Sequence, residues 1–133
     1  MNIGEAAKLS GLPPKTIRYY EEIGLLKPAR ASNGYRDYHD RDVYVLRFLQ
    51  RSRSLGFSIE DTRRLLSLYA DKNRHSQDVK QLARRRVEEI DRKIAELQTL
   101  KSALWSLTER CHGDLDPDCP ILEEIGNEPI VSN

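Results

Sequence analysis

One unbroken stretch, residues 76–111, constrains the fold more than any other feature, because it contains no glycine or proline. Every seventh residue in it has low polarity: Ala83, Ile90, Leu97, Leu104 and Cys111. Val87 and Ile94 hold the companion position, which Lys101 and Thr108 continue less well. The pattern predicts a coiled-coil helix of about four heptads, roughly 50 Å long at about 1.5 Å per residue. Such a helix needs a partner, most simply one from a second copy of the chain.

The segment before it has the pattern of a winged helix-turn-helix. Short helices are predicted over residues 4–10 and 15–24, each stopped by glycine, with a stiff Leu12-Pro13-Pro14 turn between them. Pro28 ends this helical region, and Asn33-Gly34 is a strong hairpin-turn signal. We therefore expect a two-stranded wing with a basic tip formed by Lys27, Arg30 and Arg36.

Two further helices should complete a core of about 70 residues. The first spans residues 43–56, with Asp40 or Asp42 as its N-cap and Leu55 as its last core residue. The second starts at Ser58, which forms a weak capping box with Asp61. After residue 111, the segment ILEEI predicts a short amphipathic helix, which either covers the apolar seam or docks differently when metal orders the loop before it.

Charge divides the chain into two parts, although the net charge is only +1. Residues 1–68 hold 12 Lys and Arg against 8 Asp and Glu, whereas residues 69–133 hold 10 against 13. The first part has the basic balance that a phosphate-binding surface needs. The last 20 residues carry six acidic residues and no basic ones, so this tail is not expected to touch DNA.

The chain shows neither the features of a signal peptide nor an apolar run of the roughly 20 residues that span a bilayer. We therefore predict a cytoplasmic protein with no membrane partner. Thiols are kept reduced in the cytosol, where paired cysteines serve metal or redox chemistry more often than structural disulfides.

The predicted second helix carries the candidate DNA-reading residues. Lys15, Thr16, Arg18 and Tyr19 lie at and just after its start, where side chains can meet phosphates and base edges in a major groove. A lone stretch of this kind is more often an amphipathic helix with a solvated basic face. The preceding turn, the basic wing and the dimerising helix favour DNA recognition here.

The only two cysteines, Cys111 and Cys119, flank an acidic loop. They are consistent with a disulfide, with two unrelated thiols, or with half of a zinc site that would recruit from His112, Asp114, Asp116 and Asp118. Two soft thiolates with no other soft ligand favour a linear, monovalent ion, Cu(I), with Ag(I) as its mimic. The three aspartates are expected to raise the pKa of the thiols.

The segment GEAAKLSGLPPKTIRYYEEIGLLKPARASNGYRDYHDRDVYVLRFLQRSRSLGFSIED resembles the DNA-binding domain of the MerR family. The resemblance covers residue 2 to about residue 70, and the long helix then resembles the family's antiparallel dimerisation helix. It implies DNA contacts by Tyr35 and Arg36 in the wing, besides Lys15, Thr16, Arg18 and Tyr19. Tyr20 and Tyr38 are expected to pack or to touch phosphate.

Within that family, RHSQDVK and CHGDLDPDCPI resemble the copper-efflux regulator group of the CueR or HmrR type. The resemblance places Ser76 where zinc- and mercury-sensing relatives carry a cysteine, and Lys80 near the two thiolates. In an antiparallel dimer, His75 and Ser76 of one subunit would approach Cys111 of the other. His75 and His112 are the side chains that could add nitrogen to the metal's ligands.

These observations predict a mainly α fold: a winged helix-turn-helix DNA-binding domain (1–70), a linker and antiparallel coiled-coil dimerisation helix (71–110), and a C-terminal metal-binding loop with a short helix and tail (111–133). The predicted function is transcriptional regulation in response to cytosolic Cu(I), Ag(I) or Au(I). The resemblance implies that a homodimer distorts promoter DNA so that RNA polymerase can engage it and express copper-efflux genes. The alternatives are a zinc-responsive regulator, a metal buffer, or a thiol enzyme. The sequence shows no general base beside the cysteines that a thiol enzyme would use.

Overall fold

The structure, a computed structural model, describes residues 1–115 and 117–126. Asp116, one of the candidate zinc ligands, and residues 127–133 of the predicted tail lie outside the described residues. Helices and strands follow one another as α1 (Ile3–Ser10), α2 (Pro14–Glu22), β1 (Ala29–Arg30), β2 (Arg36–Asp37), α3 (Asp40–Ser54), α4 (Ile59–Ala70), α5 (Ser76–Arg110) and α6 (Pro120–Ile125). The fold is mainly α, as predicted.

Helices α1 and α2 form the predicted helix-turn-helix. The Asn2 side chain accepts a hydrogen bond from the Glu5 N–H and so caps the start of α1. Pro14 occupies the first position of α2, where its missing N–H costs nothing. Gly24, with φ of 81°, follows the end of α2 in the left-handed conformation that glycine adopts without strain.

Strands β1 and β2 form the wing, an antiparallel pair in which Ala29 faces Asp37 and Arg30 faces Arg36. The Asn33 side chain accepts a hydrogen bond from the Tyr35 N–H at 3.1 Å, which closes the turn between the strands. The Arg30 side chain donates to the Gly34 carbonyl at 3.2 Å. The predicted hairpin is therefore confirmed, although each strand has only two residues.

Two details of α3 differ from the sequence prediction. The N-cap of α3 is His39, and Asp42, three residues on, accepts a hydrogen bond from the His39 N–H at 2.9 Å. Leu55 is 63% exposed because α3 has ended, which places its side chain outside the core. Helix α4 starts as predicted, since the Ser58 hydroxyl accepts a hydrogen bond from the Asp61 N–H.

The core of this region is drawn from α1, α2, the wing and α3. It contains Ala6, Ile17, Tyr20, Leu25, Leu26, Tyr38, Val43, Leu46 and Leu49. Between α3 and α4, the buried hydroxyls of Ser52 and Thr62 form a hydrogen bond of 2.9 Å. This polar pair is satisfied within the protein, as buried polar groups usually are.

The chain divides into two compact units, Met1–Arg86 and a second that begins at Val87. In the second unit, α5 carries a row of exposed apolar side chains: Val87, Ile90, Ile94, Leu97, Leu100, Leu104 and Trp105. The predicted domain ranges divide the chain by function and remain predictions. Within the described ranges, no helix is both long enough and apolar enough to cross a membrane.

Candidate nucleic-acid interface and metal centre

Helix α2 presents the predicted DNA-reading side chains on its outer surface. Ile17 and Tyr20 are buried in the core, which orients the helix. Lys15 and Arg18 are exposed, Thr16 is half-buried, and Tyr19 is 46% exposed. Basic and hydrogen-bonding groups therefore lie together on the accessible side of the first turns of α2, as a reader of the major groove requires.

Tyr35 and Arg36 of the wing differ in their exposure and contacts. Tyr35 at the turn is 74% exposed. Arg36 is half-buried and forms an ion pair with Glu21, which is 3.8 Å from the Arg30 guanidinium. Glu21 thus joins the end of α2 to both strands of the wing. The sequence alone does not predict this role, because only the folded hairpin brings Glu21 near these arginines.

A groove of about 420 Å³ lies where α2 meets the wing, lined by Arg18, Glu21, Glu22 and Arg36. Tyr38 is fully buried close by, and burial is the main cause that raises the pKa of its hydroxyl. Tyr20 is also buried. Both tyrosines serve packing, which is one of the two roles expected of them.

Several arginines of the first unit bind helix ends within the protein. Arg47 donates to the Leu9 carbonyl at 3.0 Å, at the end of α1. Arg63 donates to the Ile23 carbonyl at 2.7 Å, at the end of α2. Cations stabilise helix C-termini, where carbonyl groups lack partners. Part of the positive charge of this unit therefore stabilises its helices and is not devoted to binding DNA.

Cys111 and Cys119 come together in the second unit, with their sulfur atoms 3.8 Å apart. Cys111 follows the last residue of α5, Gly113 turns the chain with φ of 64°, and Cys119 is the N-cap of α6. Both thiols are half-buried and free, since a disulfide needs sulfur atoms about 2.05 Å apart. The two ends of the acidic loop therefore form one dithiol site.

The local backbone favours the thiolate form of Cys119. Hydrogen bonding from the Leu122 N–H is the largest cause that lowers the pKa of Cys119, with smaller contributions from Cys111 and the Ile121 N–H. These amides open α6, where N–H groups without helical partners stabilise negative charge. The expectation that the aspartates raise the thiol pKa is therefore wrong for Cys119.

The other residues predicted near the metal do not join the dithiol within the described part of the chain. His75, Ser76 and Lys80 are exposed and belong to the first unit, whereas the cysteines belong to the second. His112 is exposed beside Cys111. Among the residues that the structure describes, no group of three or more His, Cys, Asp or Glu side chains is arranged to hold a metal ion.

The dithiol fits a soft metal ion by its chemistry, because thiolates bind Cu(I) and Zn(II) well. At a metal–sulfur distance of about 2.3 Å, sulfur atoms 3.8 Å apart subtend an angle of about 110° at the metal. A linear ion requires the two sulfur atoms to lie two metal–sulfur bonds apart, so the sulfurs would have to move apart from 3.8 Å. The separation in this structure is therefore the one that suits a tetrahedral ion.

Comparison with known proteins finds two family models in this chain. Residues 1–68 match the model described as MerR HTH family regulatory protein, and residues 43–107 match the model described as MerR, DNA binding. The first spans α1–α3, the wing and most of α4, and the second runs from α3 into α5.

Curated relatives are similar over almost the whole chain. The HTH-type transcriptional regulator HmrR of Rhizobium leguminosarum bv. viciae is 61% identical over 96% of this chain and 98% of its own length. The HTH-type transcriptional regulator CueR of Escherichia coli O157:H7 is 44% identical over 94% of this chain and 93% of its own length.

Among solved structures, the transcription regulator PbrR691 from Ralstonia metallidurans CH34, in complex with lead(II), has a similar fold. The TM-score is 0.80 and the sequence identity 29%, over 94% of this chain and 98% of that one. The similarity therefore extends from the winged helix-turn-helix into the second unit.

Proposed function

We propose that this chain, which belongs to the MerR family of HTH regulatory proteins, regulates transcription in response to a soft metal ion, Cu(I). Family membership already makes it a DNA-binding transcriptional regulator and not an enzyme, as the sequence predicted. The observation that carries the proposed metal response is the free dithiol, whose sulfur atoms lie 3.8 Å apart.

Helix α2 and the wing bind promoter DNA. Lys15, Thr16, Arg18 and Tyr19 contact the major groove and its phosphates, and Tyr35 and Arg36 contact the backbone beside it. The exposure of Lys15, Arg18 and Tyr19 on one helix supports this assignment. Arg36 would contact DNA while it keeps its ion pair with Glu21. Its guanidinium would then bind a DNA phosphate and the Glu21 carboxylate at the same time.

A second copy of the chain pairs with α5 in an antiparallel coiled coil. The seven exposed apolar side chains along α5 support a partner, because monomeric proteins seldom leave so long an apolar row in water. Two copies related by a two-fold axis present two recognition helices, which fits a near-palindromic operator. In that arrangement Ser76, Lys80 and His75 of one subunit lie near the dithiol of the other.

Cys111 and Cys119 hold the ion as thiolates, with Ag(I) and Au(I) as mimics. A two-thiolate monovalent centre carries a net negative charge, which Lys80 of the other subunit would offset. Ser76 offers only a neutral hydroxyl there, a poor ligand for a soft ion. His75 and His112 lie outside the ligand set.

The metal-bound dimer distorts promoter DNA so that RNA polymerase engages both promoter elements and transcribes copper-efflux genes. Distortion of this kind costs several kcal/mol and depends on sequence. The metal can stabilise the distorted form only by binding it more tightly than the undistorted one. The protein would act on a cytoplasmic metal pool, where thiols stay reduced.

A zinc-responsive regulator is the second candidate, and one observation favours it. The sulfur separation of 3.8 Å is the one expected for two thiolates on a tetrahedral ion with bonds of about 2.3 Å. Zinc would need further ligands, from His75, His112 or the acidic loop.

Transcription in vitro tests the proposal. The template carries a palindrome recovered by in vitro selection with the purified dimer, placed in a promoter with an overlong spacer. We expect Cu(I) to raise transcript levels with the unmodified protein and to have no effect with Cys111→Ser or Cys119→Ser. Ser106→Ala, an exposed change on α5, is the matched control and should keep the response. A full response from either cysteine variant would overturn the metal assignment.

A further inference from the structure

Two consecutive arginines near the start of α5 hold the turn between α3 and α4. The Arg86 Nε donates a hydrogen bond of 2.9 Å to the Leu55 carbonyl, at the C-cap of α3. The guanidinium also fills the space beside Gly56, where it would meet a Cβ on residue 56. Gly56 has φ of 85°, a second reason why only glycine suits this position.

The neighbouring Arg85 reaches the other side of the same turn. Its guanidinium lies 3.3 Å from the carboxylate of Asp61, in the first turn of α4. One turn earlier on α5, Leu82 is only 2% exposed, so its side chain is buried. This part of α5 is therefore joined to the end of α3 by a hydrogen bond and to the start of α4 by an ion pair.

The first turns of α4 continue this connection to the recognition helix. Arg63, two residues after Asp61, donates a hydrogen bond of 2.7 Å to the Ile23 carbonyl at the end of α2. Direct contacts thus run from α5 to α4 through Arg85 and Asp61, and from α4 to α2 through Arg63. All of these residues belong to the unit Met1–Arg86.

We propose that Arg85 and Arg86 are positioning residues that transmit the metal response from the start of α5 to the recognition helix α2. This inference rests on the proposed function, in which the dithiol of one subunit lies near Ser76 and Lys80 of the other. A metal-dependent shift of the first turns of α5 would then move the α3–α4 turn with it. These arginines touch neither metal nor DNA in this account, and act only by joining helices.

The test separates coupling from binding. Arg86→Ala, Arg86→Lys, Arg85→Ala and Asp61→Asn are compared with the unmodified dimer on a selected palindromic duplex that carries 2-aminopurine at its centre. Three quantities are measured: affinity for the duplex without metal, Cu(I) affinity against a competing chelator, and the Cu(I)-induced change in 2-aminopurine fluorescence. Arg84→Ala is the control, because Arg84 is exposed and makes no hydrogen bond or ion pair within the described part of the chain.

We expect Arg86→Ala to keep both affinities within about twofold while the Cu(I)-induced fluorescence change falls about fivefold or more, the lower range of allosteric couplings. Arg86→Lys should recover part of the change, since a lysine can still donate to the Leu55 carbonyl. Arg85→Ala and Asp61→Asn should both reduce the Cu(I)-induced fluorescence change to a similar extent, because each removes the same ion pair. Arg84→Ala should behave like the unmodified protein.

A full fluorescence change in Arg86→Ala and in Asp61→Asn, beside a responding unmodified protein, would overturn the inference alone. Equal losses of DNA affinity and of response would also overturn it, because they indicate a general structural role. If Arg86→Ala fails to fold, Arg86→Lys and Asp61→Asn decide the matter by the same criteria. An unmodified protein that binds no Cu(I) would overturn the proposed function itself, and with it the inference.

Discussion

At the scale of single residues, the dithiol site is defined by backbone amides as much as by its cysteines. Cys119 accepts hydrogen bonds from N–H groups that open α6, and Leu122 contributes most to the lowered pKa of Cys119. A lowered pKa keeps the thiolate, which is the metal-binding form, present at lower pH. Protons compete with the metal only once the pH falls through that lowered pKa.

The reactivity of Cys119 should therefore show the effect directly. In a Cys111→Ser variant, the rate of alkylation by iodoacetamide should reach half its maximum at a pH below that of an ordinary thiol, about 8.5. Mass spectrometry of the modified chain follows the rate. A midpoint at or above the ordinary value would mean that the aspartates outweigh the amides.

Glu21 gives a second prediction at this scale. Glu21→Gln removes its ion pairs with Arg30 and Arg36, so the wing loses its attachment to α2. Partly exposed ion pairs contribute about 0.2–1 kcal/mol, and we expect the preference for a selected palindrome over random duplex to fall by up to about fivefold. Fluorescence anisotropy with both duplexes measures this preference.

Glu22→Gln is the matched control. Glu22 is exposed and lines the same groove, and its substitution by glutamine removes the same negative charge. If both variants change specificity equally, net charge explains the effect and the wing attachment does not.

The sequence could identify individual residues only where composition or family pattern made them stand out. The two cysteines were recognisable because the chain has no others, and the residues proposed to read DNA because they follow a turn at a helix start. Glu21, Arg63, Arg85 and Arg86 were missed. Their partners lie 9 to 40 residues away, and only the folded chain brings these side chains to the carboxylates and backbone carbonyls that they contact.

At the scale of helices and strands, periodicity and turn chemistry predicted most of the fold. The glycine-stopped helices, the Asn33-Gly34 hairpin and the unbroken α5 all appear in the structure. The cap of α3 was misplaced because Asp40 and Asp42 both suit an N-cap, while His39 takes that position with Asp42 bonded back to it. Helix ends are set by such local competition, which a pattern of apolar residues does not resolve.

The α3–α4 contact yields a prediction that the sequence did not suggest, since serine and threonine within helices are usually surface residues. Thr62→Val should lower the free energy of unfolding by about 1–3 kcal/mol, because it leaves the buried Ser52 hydroxyl without its partner. Combining it with Ser52→Ala should recover much of this loss. Urea unfolding of both single variants and the double variant measures the coupling.

Ser67→Ala, an exposed change within α4, is the control and should leave stability nearly unchanged. Strictly additive losses in the double variant would show that the two hydroxyls do not stabilise each other.

At the scale of the whole molecule, the exposed apolar row of α5 supports the proposed dimer. Ile94→Glu places a charge within this row, and a charge in an apolar seam without a partner is strongly unfavourable. We expect the variant to sediment as a monomer and to bind a palindromic duplex at least about tenfold more weakly, because only one half-site is held at a time. Analytical ultracentrifugation and anisotropy measure the two effects.

Thr99→Glu introduces the same charge on the side of α5 opposite the row and should leave a dimer. A dimeric Ile94→Glu variant with full DNA affinity would contradict the proposed seam.

The decisive experiment is X-ray absorption of Cu(I) in the reduced protein, beside a parallel Zn(II) titration against a competing chelator. We expect one Cu(I) per subunit with two sulfur neighbours and no nitrogen, the sulfurs of Cys111 and Cys119 having moved apart from 3.8 Å to hold a linear ion. Tight Zn(II) binding with nitrogen or oxygen neighbours, and weak Cu(I) binding, would contradict this expectation and bring His75, His112 or the acidic loop into the site.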